Sequence, residues 1–252
     1  MEHKDSEIIV TGGASGIGRA TALLLAQRGA RVFVGDIDAE GGRRVAEEAG
    51  AQGLAVVYLP LDLTDAASAP AFVARVREIA PRIDGLVNAA GWDHVEPFMD
   101  NTPELWDRLL AINLLGPIRL TRAVLTHMTE ARGGQIVNIS SDAGRVGSMG
   151  ETVYSACKGG TIAFTKALAR EMARYKINVN CVCPGPTDTP LLQAQTSDWA
   201  MRIKEGMTRA VPFRRMAEPV EIAEAIAFFL GSGSRFITGQ VLSVSGGLTM
   251  AG

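Results

Sequence analysis

The sequence predicts an α/β protein built on a doubly wound, seven-stranded parallel sheet with helices on both faces. Three observations carry this reading. Seven short apolar runs alternate with longer helical patterns from end to end. The runs are apolar throughout, as strands covered on both faces must be, and do not alternate with polar residues. Hydrophobic residues make up 47% of the 252 residues but aromatics only 6%, so small aliphatic side chains carry the core, which suits helices packed on a sheet.

In chain order the strands are expected at residues 7–11, 31–36, 54–59, 85–88, 135–140, 178–182 and 240–245. The first rests on Ile8-Ile9-Val10, the second on Val32-Phe33-Val34, and the third on Ala55-Val56-Val57. Leu86-Val87, Ile136-Val137, the stretch from Val179 to Val182, and Val241-Leu242 supply the other four. The helical patterns between them span 16–28, 39–49, 66–79, 103–131, 152–175 and 219–230. Such βα alternation implies right-handed crossovers. No linker or repeat divides residues 1–252, so a single domain is expected. Residues 187–217 break the pattern, being rich in proline, charge and methionine, and are too long for an ordinary connection. A substrate lid at the carboxyl edge of the sheet is expected there, with a peripheral helical hairpin as the bland alternative.

Several function classes fall away. A formal net charge of −2 gives no reason to expect a nucleic-acid partner. Residues 1–6 are polar and the first apolar run is too short for a secretory signal. No stretch approaches the roughly 20 apolar residues of a membrane span. Cys157, Cys181 and Cys183 fit a reducing cytoplasm better than a disulfide framework. Cys181 and Cys183 alternate on one strand and read as small buried hydrophobes. His3, His94 and His127 have no metal-ligand spacing, so no catalytic metal is expected.

The turn Thr11-Gly-Gly-Ala-Ser-Gly-Ile-Gly18 follows the first strand and opens the first helix. Gly12, Gly16 and Gly18 permit a tight turn and close approach of a pyrophosphate, while Ser15, Ile17 and the helix N-terminus complete the cradle of a Rossmann-type dinucleotide site. Asp36 ends the second strand 18 residues after Gly18, where a carboxylate accepts the ribose hydroxyls and repels a 2′-phosphate. Neither Ala14 nor Ile37 is basic, so NAD is expected over NADP. Asp62, with Leu63 beside it, follows the third strand where the adenine amino group lies. Asn88, Ala90 and Gly91 follow the fourth, where small residues let a cofactor lie on the backbone.

Tyr154 and Lys158 stand four residues apart on one helix and share a face. A fixed ammonium beside a phenol favours the phenolate, so the pair reads as a proton-transfer device with a lowered tyrosine pKa.

With these motifs in register, the chain resembles the short-chain dehydrogenase/reductase family over essentially its whole length. The glycine turn, Asp62, the turn at Asn88–Gly91, Asn113, Ser141, Tyr154, Lys158 and Pro184-Gly185 occur in the family's order. Ala89 departs from the family's usual second asparagine. The resemblance implies that Tyr154 exchanges a proton with the substrate oxygen and that Lys158 tunes the tyrosine and holds the nicotinamide ribose. It implies that Ser141 bonds the reacting oxygen, that Asn113 supports a water chain to Lys158, and that Pro184, Gly185, Thr187 and Thr189 line the nicotinamide. Ser140, facing the other way, is expected to be structural.

Subgroup features, among them Gly91-Trp-Asp-His-Val-Glu-Pro-Phe98 and Gly150-Glu151, carry the resemblance to enzymes oxidising an alicyclic β-hydroxyacyl thioester such as 2-hydroxycyclohexanecarboxyl-CoA. Trp92, Met149, Leu191, Leu192 and Trp199 are the candidate walls of an apolar ring pocket. Arg202, Lys204, Arg209, Arg214 and Arg215 near the lid are candidates for the CoA phosphates. The alternatives are a dehydrogenase of a free cyclic or bulky secondary alcohol, a 3-oxoacyl-carrier-protein reductase, and an inactive nucleotide-bound partner subunit. The resemblance also implies a homotetramer.

Overall fold

The computed structural model describes residues 3–251. Met1, Glu2 and Gly252, at the ends of the expected single domain, lie outside the described residues.

Seven strands form one sheet: β1 (Glu7–Thr11), β2 (Arg31–Asp36), β3 (Val56–Pro60), β4 (Gly85–Asn88), β5 (Gly134–Ile139), β6 (Ile177–Pro184) and β7 (Val241–Val244). Their order is β3-β2-β1-β4-β5-β6-β7 and every pairing is parallel. The order reverses between β1 and β4. That switch point opens a crevice at the carboxyl ends of the strands.

The side chains of β1 show how one strand serves two layers. Ile8 and Val10 pack with Ala22, Leu25 and Ala26 of α1 (Gly16–Gln27) and with Ile222 and Ile226 of α10 (Pro219–Leu230). Ile9 packs on the other face, with Phe72 and Val76 of α3 (Ser68–Ile79), Leu120 and Val124 of α5 (Gly116–Ala131), and Leu168 of α7 (Thr152–Met172). α2 (Ala39–Ala51) starts at Asp38, whose carboxylate accepts the Gly41 N–H at 2.9 Å. A glycine-free face there would not fit, because a Cβ on Gly42 would stand 2.1 Å from the Tyr58 ring.

The long helix expected at 103–131 is not uniform. It runs as α4 (Pro103–Leu110), a single π-turn (Ala111–Leu115) and α5. By length and composition this helix, Pro103–Ala131, is apolar enough to cross a membrane, which the sequence reading missed. Its apolar face is spent on the core, where Leu109, Leu120, Val124, Leu125 and Met128 are buried.

Residues 187–217 hold two helices, α8 (Pro190–Gln193) and α9 (Asp198–Ala210). Both begin on hydroxyl caps: Thr189 accepts the Leu192 N–H and Ser197 the Ala200 N–H. The ends of the insertion are tied together, since Asp188 N–H donates to Ala217 O and Ala217 N–H to Pro186 O, both at 2.9 Å. A short helix, α6 (Ala143–Val146), was also not expected; it follows β5 directly.

Candidate active site

A cavity of 990 Å³ occupies the crevice at the carboxyl ends of the strands. One end is the glycine turn. Gly12 has φ +67°, and a Cβ there would lie 2.7 Å from Ala90 Cα, so the turns after β1 and β4 touch backbone to backbone. A Cβ on Gly18 would stand 2.2 Å from Gly12 O, which leaves no room for a side chain. Ser15, Gly16 and Ile17 face the same cavity, as do Asp36, Asp62, Leu63, Ala90 and Gly91. Asp36 is aimed by the backbone: Oδ2 accepts from Ala14 N–H at 2.9 Å and Oδ1 from Asp38 N–H at 3.0 Å. Asp62 Oδ1 accepts from the Thr64 N–H and hydroxyl at 2.8 and 2.7 Å.

Asn88 differs from the expectation. Its side chain is buried and does not line the cavity. Its Nδ2 donates to Thr121 Oγ1 at 3.0 Å and Asn138 Oδ1 at 2.8 Å, and Asn138 Nδ2 donates in turn to Thr165 at 2.9 Å. β4 is central, and the Asn88 amide nitrogen ties it directly to β5 and α5 and, through Asn138, to α7.

At the other end of the cavity stand Ser141, Tyr154 and Lys158. Ser141 follows β5; its Oγ accepts from Ala143 N–H at 3.1 Å, and its hydroxyl lies near enough to Tyr154 to favour the phenolate. Ser140 also borders the cavity, but its hydroxyl is used by the fold, donating to Lys158 O at 2.8 Å. Lys158 is buried; its Nζ donates to Ile139 O at 3.1 Å and lies 5.4 Å from the centre of the Tyr154 ring. Pro184, Gly185, Thr187 and Thr189 line the cavity between these residues and the glycine turn.

The π-turn in the long helix places Asn113. Its Nδ2 donates to Trp92 O at 2.7 Å and Leu109 O at 3.0 Å, and its Oδ1 accepts from Trp92 N–H at 3.2 Å. Asn113 thus clamps the turn after β4 from below and does not itself line the cavity. A Cβ on Gly91 would lie 3.1 Å from Asn113 Oδ1 and 3.4 Å from Lys158 Nζ, so the backbone here comes close to both groups.

The titration of this cluster corrects the sequence reading. Tyr154 is held well above the ordinary phenol value, not below it. Burial is the largest cause, followed by the nearby Asp93 and Glu151 carboxyls; the Ser141 hydroxyl opposes them. Lys158 is itself pushed down by burial.

Asp93 and Glu151 were not foreseen as site residues, although both line the cavity. Asp93 is 7% exposed, and its carboxyl is pushed up to about 8 by burial and by contact with Glu151. The unfolded chain releases that proton near pH 4, whereas the folded chain keeps it until about pH 8. Stability from this group is therefore intact below about pH 4 and is lost as pH rises toward 8. Asp93→Asn removes the loss, so its gain in Tm over the parent is expected to be larger at pH 8.5 than at pH 5, which thermal unfolding at the two pH values checks.

Over the catalytic end, Trp92, Met149, Leu191 and Leu192 line the cavity with Met207 of α9. Arg108 lies 3.9 Å over the Trp92 ring and also lines the cavity. Trp199 does not line it. Gly150 lacks a side chain, and the Trp199 ring fills that space, 2.3 Å from where a Cβ would be, so the indole seals the lid from outside. The cationic cluster expected to meet CoA phosphates is likewise elsewhere: none of Arg202, Lys204, Arg209, Arg214 and Arg215 lines the cavity. Arg215 holds Glu221 through two bonds of 2.6 Å, and Arg209 pairs with Glu205 at 3.2 Å. Among the described residues no group of three or more His, Cys, Asp or Glu gathers to hold a metal ion.

Comparison with known proteins places the geometry in context. A family profile described as enoyl-(acyl carrier protein) reductase matches residues 12–249. The chain is 38% identical to a 3-oxoacyl-[acyl-carrier-protein] reductase of Thermotoga maritima, over 99% of this chain and 100% of the relative. It is 37% identical to a (2S)-[(R)-hydroxy(phenyl)methyl]succinyl-CoA dehydrogenase subunit of Thauera aromatica, over 96% of each. It is 39% identical to a cis-4-hydroxycyclohexanecarboxylate dehydrogenase of Sinomonas cyclohexanicum, over 96% and 95%. The crystal structure of an actinorhodin polyketide ketoreductase variant with NADPH superposes with a TM-score of 0.92 at 37% identity, covering 97% of both chains.

Proposed function

The chain belongs to the short-chain dehydrogenase/reductase family, an oxidoreductase acting on CH–OH groups, and from that premise we propose that it oxidises an alicyclic β-hydroxyacyl-CoA with NAD. One observation carries the reading. Ser141, Tyr154 and Lys158 open into the same 990 Å³ cavity as the glycine turn and Asp36, under an apolar lid.

The residues fit the family's nicotinamide dinucleotide. The missing side chains at Gly12 and Gly18 leave a backbone cradle at the start of α1, with N–H groups and the helix dipole for a pyrophosphate. Asp36 would accept the ribose hydroxyls, Asp62 would hold the adenine end, and Thr187 and Thr189 would flank the nicotinamide, since all four line the cavity. When bound, the nicotinamide ring supplies the hydride acceptor. Tyr154 takes the hydroxyl proton of the alcohol at its phenol oxygen, and Ser141 holds the same oxygen as its charge changes. Lys158, anchored by the Ile139 carbonyl with its Nζ 5.4 Å from the Tyr154 ring centre, supplies the amine that assists the proton exchange. Asn113 fixes the Gly91-Trp92 backbone so that Lys158 and the cofactor turn stay in register.

Trp92, Met149, Leu191 and Leu192 form an apolar wall that suits a saturated ring. Arg108 at this wall, stacked on Trp92, offers a cation for a phosphorylated acyl carrier in place of the lid cluster. The acyl-CoA and alicyclic substrates named for two relatives support the same class. The rival within the family, reduction of a 3-oxoacyl thioester, draws support from the raised Tyr154, which is better poised to give a proton than to take one. NADH formation from 2-hydroxycyclohexanecarboxyl-CoA, measured beside cyclohexanol and a 3-oxoacyl thioester, separates these readings.

The open edge of β7, with Phe228, Phe236, Leu242 and Met250 exposed, supports a homo-oligomer, a tetramer by family resemblance. A cytoplasmic setting accords with three free cysteines, all buried.

A further inference from the structure

Two carboxyl groups share the catalytic end of the cavity with no role in the chemistry above. Asp93 follows the turn after β4, and Glu151 precedes the first residue of α7. Both line the cavity, and Glu151 is near enough to raise the Asp93 carboxyl. Asp93 is buried, and its Oδ1 has no hydrogen-bond donor in the structure. The segments carrying the pair are stitched to each other and to the lid. Glu96 N–H donates to Gly150 O at 3.1 Å, Gln195 Nε2 donates to Asp93 O at 3.0 Å, and Val95 N–H donates to Gln195 Oε1 at 3.2 Å.

The groups that face Asp93 are Glu151, Tyr154, the buried Cys157, Lys158 and the His94 backbone N–H. The only cation among them, Lys158, is bonded to Ile139 O. The His94 ring pairs instead with Glu96 at 3.3 Å, and Arg108 is stacked over Trp92. Burial and the neighbouring Glu151 carboxyl keep a proton on Asp93 until about pH 8, so at neutral pH the pair retains one proton and together carries one negative charge.

We propose that the Asp93–Glu151 pair is a specificity-determining acid pair that excludes free carboxylates from the acyl position and admits a neutral thioester or ester. This deepens the β-hydroxyacyl reading above and rests on it. In a β-hydroxyacyl compound the acyl carbon is bonded to the neighbour of the carbinol carbon. Whenever the hydroxyl engages Tyr154, the acyl group lies close to the residues around Tyr154. An ionised carboxylate there meets the charge of the pair; a thioester does not. Like charges brought together in a partly desolvated site cost about 30-fold or more in binding.

The probe is methyl 2-hydroxycyclohexanecarboxylate against its own free acid, both oxidised with NAD. The parent enzyme is expected to favour the ester by about 30-fold or more in kcat/KM, and the preference is expected to widen from pH 6 to pH 9 as the shared proton leaves. The Asp93→Asn/Glu151→Gln double variant removes the charge while keeping the shapes. Its ester-to-acid ratio is expected to fall at least about tenfold and to lose its pH dependence. An unchanged ratio in the double variant overturns the proposal. Should the double variant not fold, a parent ratio near one, or one flat across that pH range, overturns it as well. The methyl ester carries no CoA. Failure of the CoA substrate with the ester preference intact would therefore count against the proposed function alone.

Discussion

Replacing Tyr154 with phenylalanine is expected to lower kcat by about 10²–10⁴-fold with little change in cofactor affinity, because only the phenol oxygen transfers the proton. The substitution removes one oxygen and keeps the ring that packs near Lys158 and beside Ser141. Retention of more than about a tenth of the parent kcat would remove Tyr154 from the chemistry. The raised tyrosine adds a direction to the pH profile. A phenol held above its ordinary value keeps its proton through neutrality, so oxidation is expected to accelerate as pH rises and ketone reduction to slow. A profile rising in the opposite sense for oxidation would contradict that assignment.

The parent enzyme is expected to prefer NAD to NADP by at least about tenfold in kcat/KM, since bringing a phosphate against a fixed carboxylate costs several kcal/mol. Asp36 cannot swing aside cheaply. Both of its oxygens accept backbone N–H groups, from Ala14 and Asp38, and releasing them would leave those donors without partners. Neither Ala14 nor Ile37 supplies a compensating cation. Asp36→Ser should narrow the preference by raising kcat/KM for NADP. Steady-state kinetics with both dinucleotides checks this, and an NADP preference of tenfold or more in the parent enzyme would show the reading of Asp36 to be mistaken.

The sheet was legible because its strands are apolar runs flanked by helices, and β1, β2 and β4 fall on the expected residues. The ends of β3 and β6 shifted because hydrogen-bond register with a neighbouring strand, and not hydropathy, decides where a strand stops. The π-turn occupies only five residues of an otherwise helical run, too few to separate from a continuous apolar pattern. It matters, because the bulge is what turns Asn113 toward Trp92.

The site was legible where backbone demands particular residues, as at Gly12 and Gly18. It was less legible where charge depends on the fold. The spacing of Tyr154 and Lys158 was correct, but spacing alone does not report that two carboxyls and a buried setting outweigh one ammonium. Asp93 and Glu151 are 58 positions apart and meet only when the turn after β4 packs against the start of α7. Trp199 was drawn into the pocket list by its aromatic character, while its place was decided by an absent side chain at Gly150. The lid arginines had acidic residues a few positions away, Glu205 and Glu221, and these claim Arg209 and Arg215.

The most direct measurement is kcat/KM for NAD-linked oxidation of 2-hydroxycyclohexanecarboxyl-CoA and of cyclohexanol under the same conditions. Binding of the acyl and carrier portions is expected to favour the thioester by about 10²-fold or more. Equal values, or NADH formed from cyclohexanol and none from the thioester, would contradict it.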